Sequence, residues 1–131
     1  MNASARCPFC LRIEHGEYER TKLPSVVRFE PLNPVTPGHM LFVPRRHVTS
    51  AIESPPHFGA CAEAAAWYGL GQGNVITSIG SDATQTVFHL HVHWVPRRAG
   101  DGLHLPWTGQ QQAKSSIRPA PSSQENSEEQ S

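Results

Sequence analysis

The 131-residue sequence predicts an α+β domain, an antiparallel sheet of about five strands with one main helix packed on one face. Three observations carry this. Short apolar segments rich in β-branched and aromatic residues are stopped by proline or glycine at 25–30, 38–47 and 74–79. One alanine-rich stretch, 57–70, sets Phe58, Cys61, Ala65 and Tyr68 at spacings of three and four, the period of a helix face. The run Thr86 to Pro96 reads as a strand in which His89, His91 and His93 share one face and Leu90, Val92 and Trp94 share the other.

Composition narrows the options. With 37% hydrophobic residues the chain can bury one modest core, and a formal net charge of zero argues against a general nucleic-acid binder, which needs a basic excess. No apolar run approaches the roughly 20 residues of a bilayer span, and Met1 to Arg6 lacks the apolar centre of a signal peptide. A cytoplasmic protein without membrane or nucleic-acid partners is the expectation. Three cysteines, Cys7, Cys10 and Cys61, are an odd number and do not suggest a disulfide framework.

In chain order, Cys7-Pro8-Phe9-Cys10 is a C-x2-C knuckle, whose two thiolates can reach one metal ion but make only half a site. Residues 11–24 are charged and turn-like. Ser25 to Glu30 reads as a strand ended by Pro31, and three prolines make 31–38 a stiff loop able to wall a site, with Asn33 as a candidate substrate contact. Gly38 to His47 is the next strand. The pattern His-x-x-x-Val-Pro-Arg-Arg begins at His39 and again at His91, so each strand sets a histidine five residues before its proline. The arginines read either as solvated strand-end charges or as a phosphate-attracting rim.

Ser54 is the expected N-cap of the main helix, with Pro55-Pro56 in its first turn, and the helix stripe should pack on Leu90, Val92 and Trp94 with Cys61 buried. Gly69, Gly71 and Gly73 end that helix. Their spacing is not a dinucleotide fingerprint, which needs a strand before and a helix after. The loop Gly80 to Gln85 is small and polar, and it places Ser81, Gln85 and Thr86 beside the histidine run as candidate phosphate contacts. Leu103 to Trp107 has apolar mass enough to dock, which sets the expected domain at 1–108. Gly109 to Ser131 is rich in Gln, Ser, Pro and Glu and reads as a disordered polar tail.

Three histidines on one face leave two readings open, a metal held by imidazole nitrogens or a nucleophilic and acid/base cluster. The segment His89 to Val95 resembles the signature of the histidine-triad (HIT) family, alternating His and apolar residues, and Gln85 to Phe88 and Pro37-Gly38-His39 are similar to that family too. The resemblance spans about residues 7–107. It implies a nucleotide hydrolase or nucleotidyl transferase acting at the α-phosphate of a small nucleotide substrate. His91 would be the nucleophile, His93 would bind phosphate or help the leaving group, and His39 would back the triad. It further implies structural zinc on Cys7, Cys10, His47 and His89, and a homodimer. The third histidine speaks against the galactose-1-phosphate uridylyltransferase branch. Gly-Ser-Asp before the triad resembles adenosine phosphoramidases, and Pro-Arg-Arg-Ala-Gly-Asp after it resembles diadenosine polyphosphate hydrolases.

Two positions depart from the family pattern. Pro31 stands where many members hold ribose with an acid, and Ser78 where an asparagine is common. These departures suit a non-catalytic nucleotide-binding module. A third reading is a metal-dependent hydrolase with catalytic zinc on His89, His91 and His93.

Overall fold

The computed structural model describes residues 6–108 and contains the expected five-stranded antiparallel sheet. In chain order its elements are helix α1 (Pro8–Glu14), strands β1 (Glu19–Arg20), β2 (Val26–Phe29) and β3 (Met40–Pro44), helix α2 (Pro55–Tyr68), strand β4 (Gly73–Ile76), a 3₁₀ turn (Ser81–Ala83) and strand β5 (Val92–Pro96). The sheet order is β1-β2-β3-β5-β4. The two strands with the repeated His-x-x-x-Val-Pro-Arg-Arg pattern are neighbours, paired antiparallel with Leu41 opposite His93 and Phe42 opposite Val92.

Alternation along the central strands feeds two cores. Val26, Phe42, Leu90, Val92 and Trp94 face α2 and pack with Cys61, Ala64 and Ala65, as the helix stripe requires. Val27, Phe29, Leu41 and Val43 face the other way, where Phe9 and Ile13 of α1 cover them. Every residue of β3 is buried, because that strand has a neighbour on each edge and a helix on each face. Ser54 caps α2 as expected, accepting a hydrogen bond from the His57 amide, and Cys61 has no exposed surface.

Three sequence expectations need correction, and a fourth gains a physical reason. Residues 11–24 are not simply turn-like, since α1 runs to Glu14 and β1 pairs with β2. That helix is short and nucleated by its cap: Cys7 Sγ accepts from the Cys10 amide and Pro8 sits at the first helical position. The histidine strand enters the ladder only at Val92, so residues 86–91 lie outside it. There the chain is held by other bonds, the Leu90 amide donating to the Val48 carbonyl at 2.7 Å. The β4 ladder stops at Ile76 instead of reaching Ile79. Finally, the Gly69-x-x-x-Gly73 spacing has a packing cause. A Cβ at Gly69 or Gly73 would stand 2.9 or 2.3 Å from the Trp94 ring, so these glycines make room for an indole.

The chain divides into two compact units after Ala99. In the second, the Leu103 amide donates to Asp101 Oδ1 at 3.0 Å and the backbone is helical over 106–108. The stretch read as a polar tail lies outside the described residues. Among the described residues no helix is long and apolar enough to cross a membrane.

Candidate active site and metal cluster

Proton bookkeeping at the histidines fixes what each ring can do. The Val35 amide donates to His39 Nδ1 at 3.1 Å, so a neutral His39 carries its proton on Nε2. That Nε2 lies 2.8 Å from His93 Nδ1 and donates to it. Neutral His93 therefore holds its own proton on Nε2, as a donor. At His91 the order is reversed: Nδ1 lies 2.8 Å from the His89 carbonyl and donates to it, which leaves a lone pair on Nε2. The rings of His91 and His93 meet edge to face at 5.3 Å, so a nitrogen lone pair and an N–H donor stand side by side.

Burial keeps these rings neutral. It pushes the His93 imidazolium down to about 4, with the neighbouring charges of His91 and His39 acting in the same direction. Burial lowers His39 as well. His91 is lowered by burial, with the bond to the His89 carbonyl opposing. A neutral imidazole is the nucleophilic form.

His89 belongs to a different cluster. Its Nε2 donates to the Pro44 carbonyl at 2.9 Å, and its Nδ1 lies 3.2 Å from Cys7 Sγ and 3.4 Å from Cys10 Sγ. His47 Nδ1 lies 3.2 Å from Cys10 Sγ. The four ligand atoms of Cys7, Cys10, His47 and His89 fall within 4.8 Å of one another and could hold a metal ion. A tetrahedral zinc, with bonds of roughly 2.3 Å to sulfur and 2.0 Å to nitrogen, puts its ligands about 3.3–3.8 Å apart, close to the three sulfur–nitrogen contacts at 3.2, 3.2 and 3.4 Å. The carbonyl bond on the far side of His89 aims the ligand nitrogen at the sulfurs. Burial pushes the His89 imidazolium down to about 4, which keeps that nitrogen unprotonated.

The remaining sequence candidates are placed unevenly. Asn33 is exposed in the loop before His39, Ser81 is exposed in the 3₁₀ turn, and Thr86 is exposed three residues before His89. Gln85 is not presented to a ligand. It is buried, its amide nitrogen donating to the carbonyls of Thr49 and Val87 and its oxygen accepting from the Gly80 amide, so it braces the polar loop. Three of the four strand-end arginines are likewise occupied: Arg45 binds the Pro24 carbonyl and the Tyr18 hydroxyl, Arg97 binds Asn74 Oδ1, and Arg98 binds Thr36 Oγ1. Sequence reasoning missed Phe9, whose ring meets His91 edge-on at 5.2 Å, and Thr77, whose hydroxyl donates to the His91 carbonyl at 2.8 Å. Phe9 was findable, since it sits between the two knuckle cysteines. The Val35 amide and Pro44 carbonyl are backbone groups and leave no mark in residue identity.

A five-stranded antiparallel sheet bearing this row of neutral imidazoles defines a class of small α+β histidine-row proteins. The HIT domain family matches residues 21–100. A Bacillus subtilis protein called Protein hit is 30% identical over 121 residues, covering 82% of each chain. The crystal structure of a Zn-bound histidine triad family protein from Mycobacterium smegmatis is 30% identical with a TM-score of 0.63, covering 78% of this chain and 82% of that one. Adenylylsulfatase HINT3 of Arabidopsis thaliana is 28% identical over 124 residues, 86% of this chain and 61% of that protein. The chain belongs to the HIT family, a family of nucleotide hydrolases and transferases.

Proposed function

We propose that the protein hydrolyses or transfers a nucleotidyl group at the α-phosphate of a nucleoside phosphate, of the adenosine phosphoramidate or diadenosine polyphosphate type. The observation that carries this reading is the pairing of tautomers, a free Nε2 lone pair on His91 beside an Nε2–H donor on His93. Nε2 of His91 attacks the α-phosphorus, an N–P bond forms and the bond to the leaving group breaks. The His93 Nε2–H donates to a phosphate oxygen or to the leaving group, and His39 acts through His93 by holding its other nitrogen. Water then attacks the same phosphorus, the N–P bond breaks and returns its electron pair to His91 Nε2, and the water's surplus proton stays on the phosphate of the released nucleotide or passes to solvent. The HINT3 relative, named an adenylylsulfatase, supports a substrate in which AMP is joined to a good leaving group.

The rival with catalytic zinc on the triad has little geometric support. His89 turns its ring to the cysteines and His91 spends Nδ1 on a carbonyl, so the three rings do not converge. The cluster of Cys7, Cys10, His47 and His89 is the better zinc site, with a structural role. There the ion would tie the N-terminal knuckle to the end of β3 and to the histidine run. A homodimer fits the exposed edge of the sheet, where β4 has one neighbour and leaves Val75 and Ile76 45% and 37% exposed.

The test is to incubate the protein and His91→Ala with adenosine 5′-phosphoramidate and with diadenosine tri- and tetraphosphate, following AMP release. Turnover in the wild type and its loss in the variant is the expected result, and the preferred substrate assigns the branch. Binding of AMP with no release from any substrate would instead establish a nucleotide-binding module, the reading that Pro31 and Ser78 favour.

A further inference from the structure

We infer that Thr77 is a positioning residue for His91, holding the main chain of the nucleophile where the sheet no longer can. The inference rests on the proposed role of His91. In the β4–β5 ladder Ile76 stands opposite His93; one more step of that register would set Thr77 opposite Val92, and a second would set Ser78 opposite His91. The ladder stops before that step, and β5 itself begins only at Val92. His91 thus falls just beyond the last paired residue, where strand pairing no longer fixes its backbone.

The Thr77 side chain takes over the missing bond. Its Oγ1–H donates to the His91 carbonyl at 2.8 Å, across a sequence separation of 14 residues. The nucleophile is then fixed twice, its ring by the His89 carbonyl and its main chain by Thr77. The two restraints are complementary: the first selects the tautomer with Nε2 free, the second stops the peptide from rotating that nitrogen off line. Threonine suits the task, since β-branching leaves its hydroxyl few orientations. Attack at phosphorus depends on alignment, so loosening such a restraint acts on the chemical step more than on substrate binding. Thr77 is only half-buried, so water can replace its hydroxyl with little cost to folding.

The test compares Thr77→Val, which keeps the shape and removes the donor, with Thr77→Ser, which keeps the donor. Valine is expected to lower kcat roughly five- to tenfold, about the rate equivalent of one neutral hydrogen bond, with KM and melting temperature close to wild type, and serine to recover most of the loss. The ¹⁵N spectrum of the histidine rings, recorded without substrate, should show the His91 Nδ1–H tautomer dominant in wild type and Thr77→Ser and depleted or averaged in Thr77→Val. A valine variant with wild-type kcat and an unchanged His91 spectrum overturns the inference, and so does a serine variant as impaired as valine. Mass spectrometry of wild type quenched at neutral pH keeps the two ideas apart. If no nucleotidyl adduct forms on His91 the enzymatic reading falls, while the ring spectra still decide whether Thr77 orders that residue.

Discussion

At the scale of single residues, the histidines differ in the direction their protons point more than in their identity. Replacing His39 by Ala removes the donor that fixes His93, and AMP release should fall by about 10²-fold, the scale of losing one positioned donor to developing charge, with the fold intact by circular dichroism. The same depressed basicity makes stability depend on pH. Folded His93 resists protonation down to about 4, whereas in the unfolded chain it takes a proton near the ordinary 6.5. The unfolded state therefore binds more protons between these values, and the His93 share of stability should fall as pH drops from about 6.5 to about 4 and level off below. Denaturant melts at stepped pH measure this, with His93→Gln expected to reduce a slope that the lowered His39, His89 and His91 share. The spacing of two set His89, His91 and His93 side by side, and the family resemblance divided them between a metal and a substrate; spacing alone could not make that division, because the deciding partners are the Pro44 and His89 carbonyls and the Val35 amide.

At the scale of elements, α2 and the central strands could be read from period and caps, since Ser54, Pro55 and the Cys61 stripe obey local rules. Helix α1 could not, because its reason for forming is the knuckle at its head and the β-sheet face beneath Phe9 and Ile13. The packing role of Gly69 and Gly73 is equally opaque in sequence, since both make room for the indole of Trp94 much further along the chain. Gly73→Ala should cost about 1–3 kcal/mol in a urea melt, the usual penalty for overpacking, as its Cβ would stand 2.3 Å from Trp94. Gly71, with no atom within 4 Å of a built Cβ but a φ of +77°, serves as the control, where any cost comes from backbone conformation alone.

For the molecule as a whole, two distinct clusters meet at one residue just ahead of β5, since His89 gives its ring to the Cys/His cluster and its carbonyl to the His91 ring. Removing metal from zinc-loaded protein with a chelator should lower the melting temperature by roughly 5 °C or more, with zinc and not magnesium restoring it. Cys10→Ser should melt like the chelated protein and gain little from added zinc. The placement of the four ligands also has a consequence for biosynthesis. Cys7 and His89 are 82 residues apart in the chain. As the polypeptide leaves the ribosome, the two knuckle thiols emerge before most of the sheet and wait, bare and oxidisable, while β1 to β4 are made. Only when His89 appears can the four side chains meet, so the knuckle is fastened late although it is made early.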